Sequence, residues 1–236
     1  MEGQEKLRAA AALIIGAGGL GCPAALYLAA AGLKRLSIAD SDKVDLTNLQ
    51  RQILYRTDLV GVPKVQAAGQ TLQAINPEVS VIGLTERVGQ EMAAKLVVDA
   101  DVVLDCSDNF ATRHALNRAC VKRRKPLVSG AAIRFDAQIT VFDLRNNDAP
   151  CYACLFPEDT EIEEVQCSVM GVFAPMTGVI GAMQAMEAIK LITGVGDSLS
   201  GRLLLFDAKK AEWRSVRVKK DPTCAVCGNR GQTPIT

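Results

Sequence analysis

The sequence has 236 residues, of which 49% are hydrophobic and 22% are charged, and this composition excludes an intrinsically disordered or low-complexity chain. The 27 Lys and Arg residues against 26 Asp and Glu residues leave a net charge of +1, so bulk charge gives no reason to expect nucleic acid or an anionic membrane as a partner. The most apolar stretch, residues 171–186, contains Pro175, Thr177 and Gln184 and falls short of the apolar run that a membrane span needs. With neither a span nor an export signal recognised, we expect a cytoplasmic protein.

The first half of the chain alternates short strand patterns with helical patterns. The predicted strands cover residues 11–15, 36–40, 79–84, 102–106 and 126–131. The predicted helices between them cover residues 20–31, 63–75, 90–98 and 109–124. Strands separated by helices are typical of a parallel sheet with helices on both faces, so the sequence predicts a Rossmann-like α/β fold.

The pattern changes after residue 131. The later predicted strands cover residues 138–142, 201–206 and 213–218, and a long apolar helix is predicted over 172–192. Little helix separates these strands from one another. We therefore expect some of them to be antiparallel additions to the same sheet.

Three glycines directly after the first predicted strand, Gly16, Gly18 and Gly21, form a G-x-G-x-x-G pattern. The first glycine permits a tight turn, the second lets phosphates approach the backbone, and the third lets the helix pack closely on the strand. The helix N-terminus then presents free N–H groups to the phosphates. Asp40 ends the next strand, where a carboxylate can hold ribose hydroxyls. The pattern predicts an adenine-nucleotide site, although glycines can also serve only to make a turn.

Polar residues beyond Asp40 favour phosphoryl or nucleotidyl transfer. Arginine and lysine can offset the charge of a triphosphate, and an aspartate at the end of a strand can hold Mg²⁺. The candidates in chain order are Asn48, Arg51, Gln52, Lys64, Asp105 and Asp108. The same glycine pattern also occurs in NAD(P)-dependent oxidoreductases, and this alternative stays open because no sequence pattern tests for a nicotinamide pocket.

Four of the eight cysteines form two C-x-x-C pairs, Cys151 with Cys154 and Cys224 with Cys227. Two such pairs suit a tetrahedral zinc site, and four thiolates leave no open position, so we predict a structural zinc. A redox dithiol and unrelated buried thiols are the alternatives. The cysteines predicted to lie in the core are Cys22, Cys106 and Cys120.

Several motifs occur together in one order along nearly the whole chain. They are G-A-G-G-L-G, D-S-D-K-V-D-L-T-N-L-Q-R-Q, G-V-P-K, D-C-S-D-N, C-Y-A-C and the terminal C-x-x-C-G. In this combination the sequence resembles the ThiF/MoeB family of adenylyltransferases, which are bacterial relatives of the ubiquitin-activating enzymes. The resemblance implies ATP and Mg²⁺, a homodimer, and a small ubiquitin-like sulfur carrier ending in Gly-Gly. It further implies that the carboxylate of the carrier attacks the α-phosphate, so that an acyl-adenylate forms and pyrophosphate leaves.

The resemblance also implies roles for individual residues. Asp40 is the expected ribose carboxylate and Asp108 the expected Mg²⁺ ligand. The other expected nucleotide contacts are Gly18, Gly19, Gly21, Asn48, Arg51, Gln52, Lys64 and Asn109. Arg51, Lys64 and Asp108 are the expected catalytic residues, because alignment and neutralisation of two anions is the main task of such an enzyme.

Cys167 is a further catalytic candidate, since in ThiF-like members a cysteine at this place bonds covalently to the carrier, whereas in MoeB-like members it need not act.

The W-R-S segment at Trp213 favours a thiamin-type carrier and the G-V-F-A-P segment a molybdopterin-type carrier. No rhodanese-like extension follows the last C-x-x-C, so we expect a separate sulfur donor protein. We expect a single domain, with a nucleotide-binding half over 1–131 and a zinc-clipped, carrier-binding half over 132–236.

This sequence departs from the family pattern at the start of the chain. Family members open with a helix that carries an R-Y-x-R-Q-like segment, whose arginine reaches the ATP of the partner subunit. This sequence starts with MEGQEKL, so we expect either that Met1 is not the true start, that the chain has been trimmed, or that Arg8 or another group takes that place. A non-catalytic, nucleotide-sensing adaptor is therefore a third hypothesis.

Overall fold

The computed structural model describes residues 2–158 and 171–228. Eight strands form one sheet. The strands are β1 (Ala11–Ile15), β2 (Arg35–Ala39), β3 (Ser80–Leu84), β4 (Val102–Asp105), β5 (Leu127–Ile133), β6 (Asp136–Phe142), β7 (Arg202–Asp207) and β8 (Glu212–Arg217). Their order across the sheet is β3-β2-β1-β4-β5-β6-β7-β8. The first five are mutually parallel and the last three are added antiparallel, which confirms the predicted fold class.

Helices cover both faces of the sheet. They are α1 (Glu2–Ala9), α2 (Gly21–Ala30), α3 (Lys64–Ile75), α4 (Gln90–Leu96), α5 (Phe110–Arg123), α6 (Tyr152–Leu155) and α7 (Ala174–Thr193). Successive side chains of β1 alternate between the two faces. Ile14 packs with α1, α2, α3 and α7, whereas Leu13 packs with α4, α5 and α6. Two hydrophobic clusters therefore share one sheet.

Helix α7 packs tightly on α2. A Cβ atom at Gly181 would lie 2.2 Å from the carbonyl oxygen of Leu20 and 2.5 Å from Pro23 Cγ, so only glycine permits this approach. Gln184 of α7 is fully buried and donates to the carbonyls of Asp105 (2.8 Å) and Val128 (3.3 Å). Helix α7 therefore contacts the start of α2, the carboxyl end of β4 and the beginning of β5.

The sequence prediction of the elements was mostly correct, with two omissions. Helix α1 was not predicted, because it is polar and buries only Leu7. The four-residue helix α6 was also missed. Among residues 2–158 and 171–228, no helix combines the length and the apolar character that crossing a membrane requires.

Candidate active site

A cleft of about 970 Å³ opens at the carboxyl ends of the parallel strands. Strand β1 lies between β2 and β4, so the order of the chain reverses here, and open α/β sheets bind their ligands at such a switch point. The cleft collects all the predicted nucleotide contacts except Gly21: Gly18, Gly19, Asp40, Asn48, Arg51, Gln52, Lys64, Asp108 and Asn109. Residues from at least five separate segments of the chain thus line the same cleft.

The glycine loop connects β1 to α2 by a turn that other residues cannot make. Gly16 has φ = 97°, and a Cβ atom on it would lie 2.6 Å from the carbonyl oxygen of Cys106. A Cβ atom on Gly21 would lie 1.9 Å from the carbonyl oxygen of Gly16. Gly21 therefore acts through close packing below the cleft, as the third glycine of this pattern does.

Asp40 follows β2 and anchors the glycine loop. Its carboxylate accepts hydrogen bonds from the backbone N–H of Ala17 (2.7 Å) and of Asp42 (2.9 Å). Burial raises the pKa of Asp40 above the ordinary range, and the nearby ammonium of Lys64 opposes this rise. The carboxylate is thus fixed in orientation at the edge of the cleft, where ribose hydroxyls can reach it.

Lys64 begins α3 and points into the cleft, with only 5% of its side chain exposed. Its ammonium lies 2.8 Å from Asp42 Oδ2 and 3.9 Å from Asp40 Oδ1. Two carboxylates therefore hold a buried positive charge in place, since a buried ammonium without a partner would be costly. This ammonium can offset the charge of a polyphosphate.

The segment after Asp40 supplies a second cation and an unsatisfied amide. Arg51 Nη2 donates to Asn48 Oδ1 at 2.7 Å, which fixes the guanidinium beside the cleft. Gln52 is buried near Gly18, and its Oε1 has no hydrogen-bond partner among the described groups. A buried amide oxygen without a donor fits a bound ligand that supplies one.

The two aspartates at the end of β4 have different environments. Asp108 is exposed on the cleft, where its carboxylate is available to a metal ion. Asp105 was proposed beside it from the sequence, but the structure buries it completely, so it does not line the cleft. Asn109 lines the cleft and also caps α5, because its Oδ1 accepts the backbone N–H of Thr112 at 2.9 Å.

The four C-x-x-C cysteines converge at a corner formed by α6 and the C-terminal turns. The sulfur atoms of Cys151, Cys154, Cys224 and Cys227 all lie within 4.8 Å of one another. The separations are 3.7 Å for Cys151–Cys224, 3.4 Å for Cys154–Cys227 and 3.9 Å for Cys151–Cys154. Four ligands at a Zn–S distance of about 2.3 Å lie roughly 3.8 Å apart in a tetrahedron, so the set fits zinc.

Hydrogen bonds favour a thiolate at this corner. Cys154 Sγ accepts hydrogen bonds from the backbone N–H of Cys151 (3.5 Å) and of Asp221 (3.4 Å), and it lies 3.9 Å from the sulfur of Cys151. The interaction with the Cys151 side chain, followed by these two backbone N–H groups, lowers the pKa of Cys154. The thiolate is the form that binds metal.

The model of the ThiF family matches residues 1–226. The chain belongs to the ThiF family. It is 44% identical over 235 residues to the sulfur carrier protein ThiS adenylyltransferase of Escherichia coli, covering all of this chain and 92% of that protein. It is equally 44% identical over 230 residues to the molybdopterin-synthase adenylyltransferase of Escherichia coli, covering 96% of this chain and 90% of that protein.

A longer relative is the adenylyltransferase and sulfurtransferase MOCS3 of Anopheles gambiae. It is 47% identical over 229 residues, and the match covers 96% of this chain but 52% of that protein. The chain thus spans about half the length of this relative. Among solved structures, Escherichia coli MccB with ATP has a TM-score of 0.85 at 26% identity, covering 97% of this chain and 70% of that chain.

The structure of this ThiF-family chain also shows residues that the sequence analysis missed. Tyr55 is buried and donates its hydroxyl to the carbonyl of Ala17 at 2.8 Å, and burial raises its pKa so that it stays a donor. Asn117 is fully buried; it accepts the N–H of Tyr152 at 2.9 Å and lies 3.6 Å from Cys151 Sγ. Tyr55 carries no sequence signal. Asn117 likewise carries no sequence signal that links it to Tyr152.

The remaining cysteines divide into two groups. Cys22, Cys106 and Cys120 are buried free thiols, as predicted. Burial raises the pKa of Cys22 to about 12 and also raises those of Cys106 and Cys120, so none is a reactive thiolate near neutral pH. Cys167 lies outside the described residues.

Proposed function

We propose that the protein is an adenylyltransferase that uses ATP to activate the C-terminal carboxylate of a sulfur carrier protein and releases pyrophosphate. The observation that carries this conclusion is the cleft itself, which brings Asp40, Arg51, Lys64 and Asp108 together at the switch point of the sheet. The named relatives are adenylyltransferases that act on sulfur carriers, so an NAD(P)-dependent oxidoreductase is not favoured.

In the proposed reaction, different residues of the cleft bind the ribose, the phosphates and the metal ion. Asp40 holds the ribose, the glycine loop receives the phosphates, and Arg51 with Lys64 neutralises their charge. Asp108 holds Mg²⁺, which supplies further charge neutralisation at the phosphates when bound. No general base is required, because a carboxylate is already ionised at neutral pH. The protein therefore accelerates the reaction by aligning two anions and stabilising the developing charge.

The cysteine corner is proposed as a structural zinc site. All four positions of a tetrahedron are taken by sulfur, so no position is left for a substrate. We expect a reducing, cytoplasmic setting, in which cysteines remain available to bind a metal. In this proposal the metal joins α6 to the C-terminal turns.

The partners are proposed from the family. The carrier is a small ubiquitin-like protein ending in Gly-Gly, bound mainly by residues 132–236, and the enzyme acts as a homodimer with a separate sulfur donor protein. The cleft continues from the nucleotide residues to Gln138, Leu205 and Arg214 on β6, β7 and β8, which supports an approach of the carrier tail along this sheet.

The test is ATP–pyrophosphate exchange by the purified chain with ATP and Mg²⁺, adding a thiamin-type or a molybdopterin-type carrier one at a time. We expect exchange with one of them, which assigns the carrier. Asp108→Ala should reduce exchange by about 10³-fold, because the metal loses its protein ligand. Asp197→Ala, at an exposed position outside the cleft, is the matched control. ATP binding without exchange with either carrier would instead support the adaptor hypothesis.

A further inference from the structure

Asp105 is a fully buried carboxylate that the proposed reaction does not use. It ends β4, three residues before Asp108. Its Oδ1 accepts hydrogen bonds from the backbone N–H (3.1 Å) and the hydroxyl (2.6 Å) of Ser107. Its Oδ2 accepts the hydroxyl of Ser129 at 3.0 Å and lies 3.9 Å from Arg113 Nε.

Arg113 completes the enclosure of Ser107. Its Nη2 donates to the backbone carbonyl of Ser107 at 2.9 Å. The N–H, the hydroxyl and the carbonyl of Ser107 are therefore bound by one ion pair, Asp105 with Arg113. Both donors and the carbonyl of the residue that directly precedes Asp108 are therefore held in place.

Such an arrangement is costly if it serves stability alone. Removing a carboxylate and a guanidinium from water has a large desolvation cost, and an ion pair at 3.9 Å only partly offsets it. Neutral side chains of similar volume would often stabilise a core as well or better. The groups instead surround the single peptide that determines where the Asp108 carboxylate points.

We propose that Asp105 is a positioning residue for magnesium, which holds the Ser107 backbone so that the Asp108 carboxylate faces the cleft. This proposal rests on the proposed function, in which Asp108 is the metal ligand. Residues that orient a metal ligand through hydrogen bonds typically contribute 10- to 100-fold to metal affinity, although they never touch the ion.

The experiment measures ATP binding by calorimetry over a series of magnesium concentrations and in EDTA. In Asp105→Asn we expect the half-saturating magnesium concentration to rise about 10-fold. ATP binding in EDTA should stay within about twofold, because the metal-independent contacts to ATP come from other residues. A merely structural role for Asp105 would not separate these two measurements.

Ser129→Ala is the matched control, because it removes one hydrogen bond from the same carboxylate on the side away from Ser107. We expect it to leave the magnesium dependence within about twofold. Ser107→Ala is a second test should Asp105→Asn fold poorly, and the loss of its hydroxyl bond should raise the magnesium requirement about threefold.

The outcomes distinguish a failure of the positioning role of Asp105 from a failure of the proposed function. Unchanged magnesium dependence in Asp105→Asn, or equal shifts in Asp105→Asn and Ser129→Ala, overturns the positioning role and leaves the proposed function standing. A wild-type chain that binds no ATP at any magnesium concentration overturns the proposed function and the positioning role together.

Discussion

The nucleotide cleft and the cysteine corner satisfy their polar groups in opposite ways. In the cleft, each cation is bound to a neighbouring side chain: Lys64 to the carboxylate of Asp42, and Arg51 to the amide oxygen of Asn48. At the corner, sulfur atoms approach each other to 3.4–3.9 Å, and in the proposed zinc site a cation at their centre would compensate four thiolates. The comparison teaches that protein contacts organise the first site, whereas the proposed second site would depend on its metal.

The two sites also differ in the structure that supports them. The cleft is formed by strand ends and helix starts of a fully hydrogen-bonded sheet. The corner joins the short helix α6 to turns around Cys224 and Cys227, and 69 residues lie between Cys154 and Cys224 in the sequence. Loss of a ligand should therefore disturb the corner far more than the cleft.

Metal removal is the strongest test of this difference. Cys227→Ala should abolish zinc binding and lower the free energy of unfolding by about 5 kcal/mol or more, since structural zinc contributes folding free energy directly. Metal analysis and thermal melting measure both effects. Cys120→Ala, at a buried cysteine outside the cluster, should keep the zinc. Retention of zinc by Cys227→Ala would show that the corner does not depend on four sulfurs.

The second test removes the buried cation of the cleft. Lys64→Met should reduce pyrophosphate exchange by about 10²- to 10³-fold, because a preorganised charge at the phosphates is lost. The melting temperature should change little compared with the zinc variants, since neighbouring residues still support the cleft. Lys43→Met, at an exposed position nearby, serves as control. Exchange at the wild-type rate would remove Lys64 from the proposed mechanism.

A smaller effect is expected from the hydroxyl of Tyr55. Tyr55→Phe removes the 2.8 Å hydrogen bond to the Ala17 carbonyl, which then keeps only the weaker bond from the Cys22 thiol at 3.5 Å, and the lost bond contributes about 1 kcal/mol. We expect the dissociation constant for ATP to rise about fivefold. Tyr27→Phe removes the same hydroxyl from a side chain that is 58% exposed, and it should leave ATP binding unchanged. Equal affinities in the two variants would contradict a role for Tyr55 in holding the glycine loop.

The smallest effect concerns pH and Asp40. Its pKa is raised by burial, so between the ordinary aspartate value of about 3.9 and the raised value the folded chain holds a proton that the unfolded chain has lost. The contribution of Asp40 to stability is therefore fully present below the ordinary value and is lost as pH rises through the raised value. In the proposed site, the ionised carboxylate of Asp40 binds the ribose of ATP, so the affinity for ATP should change in the opposite direction.

This opposition is measured as a difference between the wild type and Asp40→Asn. Melting temperatures and ATP affinities are recorded from about pH 4 to 7. As pH rises, the wild type should lose stability relative to Asp40→Asn while it gains affinity for ATP. Parallel changes of the two quantities would show that Asp40 is not the group that titrates.

The sequence predicted the parallel sheet and the cysteine cluster because their signals are local. The apolar strands, the glycine turn and the C-x-x-C pairs each lie within a few residues. Helix α1 was not predicted because only Leu7 packs inward, so its sequence has no helical periodicity of hydrophobic residues. Asp105 and Asp108 look alike in the sequence as acids beside the end of a strand. Asp105 is enclosed in part by the hydroxyl of Ser129, which comes from the neighbouring strand, so the sequence does not show which of the two is buried.

Tyr55 and Asn117 were missed by the sequence analysis because their contacts are not local. Each acts through one hydrogen bond to a residue more than thirty positions away, at Ala17 and Tyr152. Residue type and spacing do not encode such a pairing. It follows from how the helices pack on the sheet, which a single sequence does not display.

The contact between Gly181 and Leu20 has a consequence for synthesis on the ribosome. The carbonyl of Leu20 belongs to the glycine loop, yet the surface that packs on it comes from α7, near the end of the chain. At about 5–20 residues per second, on the order of ten seconds or more pass between the appearance of these two segments. During that interval the first strands and helices are present with the apolar side of α2 uncovered. The glycine loop is thus synthesised early, but α7 packs against it only late in synthesis. A nascent chain released before α7 is made would expose the apolar side of α2.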